Sequence, residues 1–482
     1  MGKILNILVE EATDTSYKCI NTRIIDKLRG WQKQPDIVWQ KGNVHVWRLM
    51  QKNKEQFNFI SVKDFHKADD NPTIYLVTIP FIKDHLSTTW VRWLPDATQK
   101  ILKEHNIPIV LSQPHEYFLG HIEHAGQRSY GFHRPSDAMS LFSDALDQRG
   151  LHTNDIIIHG IAATHTKKGF IEVGQRKVYE AYCYDYFNSG KEYINSYKDN
   201  DFSNKNMERY KFLSFDDHMD STMEKDKLAI CLNRQPRDLR CLLLLSNEKY
   251  MDESIFTFLA EEPLHVPISK EELNERFQTA LNILPNTPYT QKLYDSIEPL
   301  LARMPMELEE REGEREDHMN ANYALNKARK RAWFEMVTET HEWIKQEFSV
   351  SIITEKTIWP ILNNMPFCIQ GHKENYTFLK DLGFNLFEDD LLNQEILRRD
   401  MVHEDLNKSL LFGTEQMFER FNGWHKNAKY LMSRKEVIRH NFSILRDIDW
   451  QEKEKNDFVK ILNHSKSTNN NTDTYLENKF SY

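Results

Sequence analysis

The chain has 482 residues, 40% hydrophobic and 28% charged, which is enough for two hydrophobic cores and ordinary for a globular protein. A formal charge of −9 disfavours non-specific binding of nucleic acid, and no apolar run approaches the roughly 20 residues that span a bilayer. The sequence holds no Walker A, GxGxxG or GxSxG motif, which sets aside P-loop NTPases, dinucleotide enzymes of that type and serine hydrolases.

From the N-terminus, Ile4–Val9 predicts a strand, and its apolar stretch turns acidic too early for a signal peptide. Asn6 stands where a myristoylation signal needs Ser or Thr. Ile74–Ile79, closed by Pro80, is a second strand, Ala97–His105 a helix and Ile107–Ser112 a buried strand. Ser136–Asp147 predicts a helix ended by Gly150, and Asp155–His159 a further short strand. Strands alternating with helices predict a mostly parallel sheet covered on both faces. Ser189–Asp220 is polar and aromatic with little apolar periodicity, and predicts an irregular connection.

A second alternation starts at Lys227–Leu232, a buried-strand pattern that runs through Asn233–Arg240 into the apolar helix Cys241–Leu245, with Pro236 suited to its first turn. Ile255–Leu259 is another strand, residues 268–330 read as largely helical, and Trp333–Val337 is a strand followed by a turn at Thr338–Thr340. Phe348–Leu362 begins as a strand and turns into a short helix capped by Thr354, with Glu355 and Lys356 in its first turn and Pro360 shortening or distorting it. Met365–Ile369 predicts the next strand. Asp389–His464 is helical in pattern, with Phe418, Phe421 and Trp424 at helical spacing, and the tail from Ser465 is low-complexity and disordered in expectation. The expected domains are therefore 1–225, 226–388, a helical extension 389–464 and a tail 465–482.

Five cysteines, Cys19, Cys183, Cys231, Cys241 and Cys368, show no CxxC spacing and fit buried small hydrophobes in a reducing, cytoplasmic setting. Glu307–Glu316 and Lys327–Arg331 are a run of acidic and a cluster of basic residues; a solvated helix with mixed ion pairs explains them, and the basic cluster is the one local feature that favours nucleic acid.

Glu355 and Lys356 are the most informative pair. A helix N-terminus offers free N–H groups and the positive end of its dipole to phosphate, Lys adds a mobile cation, and an ionised Glu accepts from ribose hydroxyls. The bland alternative is an ordinary capped helix start. With Pro366–Gly371 and Leu379–Phe387, this stretch resembles the donor site of two-domain, fucosyltransferase-like glycosyltransferases, and glycosyltransferase-like proteins encoded by tailed bacteriophages in particular; the resemblance covers about residues 226–390. It implies two facing Rossmann-like α/β domains around a cleft (GT-B-like) with a helical C-terminal extension. It also implies transfer of a sugar from a nucleotide-diphospho-sugar donor with inversion.

Arg234, Arg237 and Arg240 lie in a strand–turn–helix context. Forked guanidinium groups there can neutralise a departing diphosphate without a metal, and the resemblance gives arginines that task. Glu339 follows a strand end and can bind a sugar or ribose hydroxyl, although a solvated loop Glu is the commoner outcome. His115 and Glu116 follow strand 107–112 and can deprotonate an acceptor hydroxyl, Glu116 first; Asp155 and His159 are weaker candidates of the same kind. His121 and His124 with His115 and Glu116 lack HExxH spacing, and the triplets Asp199–Asp201 and Asp447–Asp449 follow no convincing strand, so no metal or other cofactor is expected. The expected partners are the donor and an acceptor, either a modified base in phage DNA or a glycan, with no membrane. The other classes weighed are a non-catalytic phage structural or host-interaction protein on the same fold and a metal-dependent nucleic-acid-processing enzyme.

Overall fold

Leu5–Val9 (β1) is buried at every position, as a strand covered on both faces of a sheet should be. Its polar member, Asn6, is satisfied through Nδ2 by the Asp69 carboxylate at 2.8 Å and by the carbonyls of Asp69 and Asn71, both at 3.1 Å. The computed structural model describes residues 5–12, 17–18, 57–78, 91, 94–113, 143–160, 162–164, 169–198, 212–233, 238–258, 261–262, 266–282, 284, 286, 288–306, 321–339, 350–370, 373–387 and 424–467.

After β1 come a small hairpin (β2, Glu11–Ala12; β3, Tyr17–Lys18), β4 (Phe57–Ser61), β5 (Thr73–Thr78), helix α1 (Asp96–Glu104) and β6 (Ile109–Gln113). Residues 143–148 are helical, and β7 (Ile156–Gly160), β8 (Ala162–Thr164), β9 (Phe170–Val173) and β10 (Arg176–Tyr182) follow. Seven of these strands form one sheet in the order β4-β1-β5-β6-β7-β10-β9, parallel throughout except for β9.

The chain continues through α2 (Asp185–Lys198), α3 (Phe215–Asp220), β11 (Lys227–Asn233), α4 (Asp238–Ser246) and β12 (Ile255–Phe258). A second small hairpin (β13, Glu261–Glu262; β14, Val266–Pro267) leads to α5 (Lys270–Leu281), α6 (Pro288–Asp295), α7 (Ile297–Arg303), α8 (Ala321–Arg331) and β15 (Ala332–Thr338). β16 (Val350–Ile352) pairs antiparallel with β8, and then come α9 (Glu355–Leu362), β17 (Phe367–Gln370) and α10 (Lys373–Asp381). The second sheet has the order β12-β11-β15-β17 and is parallel. Three helices, α11 (Trp424–Ser433), α12 (Lys435–Asp447) and α13 (Trp450–Ser467), end the described chain. The α/β class, with two parallel sheets and a helical C-terminal region, is as expected.

Contacts divide the chain into two units, 1–185 with 345–352 and 449–482, and 186–344 with 353–448. This places the first boundary earlier than 225. The reason is visible at Asn363, whose Oδ1 accepts from Leu213 N at 3.1 Å and whose carbonyl lies 2.8 Å from His218 Nε2. The C-terminal helices are also shared out. α13 belongs to the first unit, where Phe458 and Leu462 pack on the face made by Ile7, Leu76, Val110, Ile157 and Tyr179. Burying two such side chains stabilises the helix by roughly 3–6 kcal/mol.

Ser189–Asp220 is not wholly irregular: Asp185–Lys198 and Phe215–Asp220 are helices. α2 buries Phe187, Gly190 and Ile194, a stripe at helical spacing that contains a glycine where an apolar side chain would have declared it. A Cβ at Gly190 would lie 2.8 Å from Ile358 Cγ2 and 3.2 Å from Leu445 Cδ2, so close helix packing explains the glycine. The four described cysteines form no disulfide and are buried, as expected for small hydrophobes.

Candidate functional site

In the second sheet the chain passes from β11 to β12 on one side and then to β15 on the other, so the strand order reverses between β11 and β15. Ligands of open α/β sheets bind outside the carboxyl ends of the strands at such a reversal. The strand ends here are polar. Thr338 Oγ1 donates to Asn233 Oδ1 at 2.5 Å, and Asn233 N donates to Thr257 Oγ1 at 3.0 Å. Asn233 and Thr338 are buried, so their bond ties the two strands together at the point of reversal.

Glu339 follows directly and is 2% exposed. Its Oε1 accepts from Thr354 N at 3.1 Å and Thr357 Oγ1 at 2.5 Å, and its Oε2 from Thr354 Oγ1 at 2.5 Å. The carboxylate therefore clamps the N-terminus of α9 to the end of β15. Burial pushes its pKa above the ordinary glutamate value, against the pull of Lys356 and the two threonines.

Thr354 caps α9 as expected, its Oγ1 accepting from Lys356 N at 3.4 Å. Lys356 Nζ lies 2.8 Å from Glu355 Oε1, with 27% and 46% of the two side chains exposed. Burial acts to raise the Glu355 pKa, but the neighbouring ammonium outweighs it and the carboxyl sits below its ordinary value. The helix end thus presents an ionised, partly exposed Glu–Lys pair, backed by a buried carboxylate. Pro360 lies inside α9, which is eight residues long, the short helix expected.

The other expected residues fall out as follows. Arg240 is buried, 4% exposed, close enough to Cys231 for its charge to lower that thiol's pKa, although burial raises it overall. Glu339 is enclosed rather than open to solvent, which makes it a positioning residue for α9. Arg234, Arg237, His115 and Glu116 lie outside the described residues, as do His121, His124, Asp199, Asp201 and residues 307–320. Of the basic cluster, Arg329 is buried and forked onto Glu335 at 2.8 and 3.1 Å, and Arg331 pairs with Asp226 at 2.8 Å. Those two arginines are taken up by internal ion pairs. Asp447 pairs with Arg446, and Asp449 accepts from Glu452 N, so that triplet serves helix ends.

The first sheet has its own reversal, between β1 and β5. Glu10, immediately after β1, is 5% exposed, and its Oε1 accepts from Tyr75 Oη at 2.8 Å and Thr98 Oγ1 at 2.9 Å. Sequence reading passed over Glu10 because an acidic residue after a strand looks like a solvated turn. Sequence pattern puts both Asn233 and Thr338 in the connections after their strands, whereas each ends a strand; the available signal is a polar residue closing each of two apolar strands. Asp155 lies before β7, at its amino end, and accepts from Lys177 N at 3.0 Å. His159 lies at the carboxyl end of β7, where its Nε2 is 2.8 Å from Glu454 Oε1 and its Nδ1 2.9 Å from Ser112 Oγ. Burial works against a charged ring, but Cys183 and Glu454 outweigh it and hold the pKa up at about 9. A cavity of about 270 Å³ lined by Phe65, Thr73, His105, Ile107, Asp155 and Leu462 opens at the amino ends of β5–β7, away from both reversals.

No family model matches the chain, and no curated protein matches it. Among solved structures it is similar to an α,α-trehalose-phosphate synthase (UDP-forming) from Burkholderia vietnamiensis, at 10% identity and a TM-score of 0.36 over 98% of this chain and 100% of that one. It is also similar to the N-terminal domain of Candida albicans trehalose-6-phosphate phosphatase, at 12% identity and a TM-score of 0.39 over 96% and 97%. A third is an Escherichia coli trehalose-6-phosphate structure bound with UDP-2-fluoro glucose, at 10% identity and a TM-score of 0.34 over 95% and 99%. At those TM-scores the likenesses carry no inference about this chain. None of the three is a phage-encoded or fucosyltransferase-like protein.

Proposed function

We propose that the protein is a nucleotide-sugar-dependent glycosyltransferase whose donor sits at the β11/β15 reversal of the second unit. The observation that carries this reading is the exposed Glu355–Lys356 pair at the N-terminus of α9, fixed to the end of β15 by the buried carboxylate of Glu339. A diphosphate needs positive charge; Lys356 supplies a cation and α9 the positive end of its dipole, while the N–H groups of Thr354, Lys356 and Thr357 are bonded within the protein. Glu355 is an acceptor for ribose hydroxyls. Arg234 and Arg237, which lie in sequence between β11 and α4, would complete the anion site with Arg240.

The reaction breaks the bond from the sugar C1 to the diphosphate oxygen and forms one from C1 to the acceptor oxygen. The nucleoside diphosphate leaves with the electron pair and is stabilised by the cations. The acceptor's proton passes to a general base, with the Glu116 carboxylate the leading candidate and the His115 imidazole the second. In this reading displacement is direct and inverts the anomeric carbon, and no metal takes part at the donor. The acceptor is a hydroxyl on a modified base in phage DNA or on a glycan.

Thermal shift against UDP, GDP, CMP and their sugars, with and without EDTA, tests the donor site. A ligand that binds only the folded state raises Tm by mass action. One nucleoside diphosphate should raise Tm by the same increment in both buffers and fail to do so in Lys356→Ala. No shift with any nucleotide overturns the reading and leaves a non-catalytic protein on the same fold.

A further inference from the structure

Three side chains far apart in sequence meet in the first unit. His159 lies on β7, Cys183 just beyond β10, and Glu454 in the second turn of α13. Their ligand atoms all lie within 4.8 Å of one another, and all three residues are buried. We propose that His159, Cys183 and Glu454 form a binding site for a divalent transition metal, zinc by preference, that fastens α13 to the seven-stranded sheet.

The chemistry of the donor set selects the ion. Imidazole, thiolate and carboxylate together suit a borderline-soft cation, whereas calcium and magnesium prefer oxygen alone. The surroundings hold each group in place. Ser112 Oγ engages His159 Nδ1 at 2.9 Å and leaves Nε2 directed at Glu454. Glu454 Oε2 accepts from Tyr184 N at 3.0 Å, so Oε1 is the oxygen turned to the ring. Cys183 is fixed through its backbone, its N–H donating to Gly160 O at 2.7 Å and extending the β7–β10 ladder by one rung. Metal sites rely on such outer partners to orient their ligands.

A Ser–His–Glu chain also invites a hydrolase reading, but Ser112 is 1% exposed, lies within a strand and cannot meet a substrate. Charge balances for a metal. Metal ligands bind deprotonated, with their protons released to solvent, and a neutral imidazole, a thiolate and a carboxylate neutralise the dication. A water takes the fourth position.

The test uses the full chain, stripped with EDTA, dialysed and titrated with zinc or cobalt(II) alone. One equivalent of zinc should bind and raise Tm, and cobalt should give a thiolate charge-transfer band. Because the chain has 20 histidines, the variants decide the site. Cys183→Ser, a mild change, should lose the band and the zinc-induced rise in Tm. Ser112→Ala, which keeps every ligand, should weaken binding by about 10- to 100-fold. No stoichiometric zinc in the native chain, or an unchanged cobalt spectrum in Cys183→Ser, overturns the proposal. Neither result touches the donor site, whose readout is the increment in Tm caused by a nucleotide.

Discussion

The carboxyl edges of the two parallel sheets use polar residues in opposite ways. In the second unit, Asn233, Thr338 and Glu339 brace one another and the N-terminus of α9, which leaves Glu355 and Lys356 partly exposed. In the first, Ser112, His159 and Cys183 lie beneath α13, and Glu454 closes the cluster from above. A helix that points its end at a strand terminus keeps charges available to a ligand. A helix that lays its first turns over the edge and the rest along the face uses up the polar groups itself. The first arrangement reads as a binding site and the second as a fastening.

Breaking the fastening should have the largest effect. In the metal-free chain, Glu454→Ala leaves the His159 cation and the Tyr184 N–H buried without their partner, and removing one member of a buried pair costs about 3–5 kcal/mol. Urea unfolding should register that loss, while nucleotide binding in the surviving folded fraction stays unchanged. A mild effect on stability would mean that α13 is held by Phe458 and Leu462 alone.

Glu339→Ala comes next. It strips three donors of their acceptor at the start of α9 and should destabilise by about 3 kcal/mol. Unlike the previous variant it should also weaken nucleotide binding, because Lys356 loses its footing. Lys356→Ala separates the two roles: stability falls by at most about 1 kcal/mol, as for a partly exposed ion pair, and donor affinity falls about 10- to 100-fold. Isothermal titration with the nucleotide found by the screen measures both variants, and equal affinity in Lys356→Ala would remove the donor reading.

A pH-dependent effect, at most about 1.4 kcal/mol per pH unit, follows from two buried basic side chains in the second unit. Lys225 Nζ donates to Ala332 O at 2.6 Å and to Lys330 O at 3.0 Å, and lies 3.4 Å from His218 Nδ1. Burial pushes the Lys225 pKa down to about 7, and burial with the Lys225 charge pushes His218 down to about 3. Both folded values lie below the ordinary ones, so the unfolded chain binds more protons from pH 3 to 6.5 through His218 and from pH 7 to 10.5 through Lys225. Stability should therefore rise with pH across both windows, by at most about 1.4 kcal/mol per pH unit for each group. Lys225→Met should flatten the upper window; the same alkaline slope in that variant would assign the slope to other groups.

Much of this was legible in the sequence. Apolar runs marked β1, β5, β6 and β7 of the first sheet and all four strands of the second, and Thr354 before Glu355 and Lys356 marked the helix start, whereas β4, β9 and β10 carried no signal that was read. What failed did so where a partner far along the chain decides the outcome. Glu339 follows a strand end, as read, but only the fold reveals that Thr354 and Thr357 enclose it. His159, Cys183 and Glu454 share no local spacing, since β7, β10 and α13 are brought together by the sheet and its covering helix. The basic residues Arg329 and Arg331 look like a surface patch until Glu335 and Asp226 are seen beside them.

Gly190 makes that limit measurable. By helix propensity alone, Gly190→Ala in the interior of α2 should stabilise the protein by about 1 kcal/mol. The structure predicts the opposite sign. The new methyl would sit 2.8 Å from Ile358 Cγ2, on a branch point with little freedom, and 3.2 Å from Leu445 Cδ2, which can turn away more easily. Overpacking of this kind costs about 1–3 kcal/mol, so the net change should be a loss of about 1 kcal/mol. Ile358 belongs to α9, the helix that carries Glu355 and Lys356, so the strain falls on the proposed donor site. Ile358→Val would not relieve it, because Val keeps Cγ2, whereas Ile358→Ala removes the clashing carbon. Gly190→Ala combined with Ile358→Ala should therefore be more stable than Ile358→Ala alone, since the added methyl then fills space rather than contests it. Equal losses from Gly190→Ala in both backgrounds would show that α2 does not pack on α9 through this glycine.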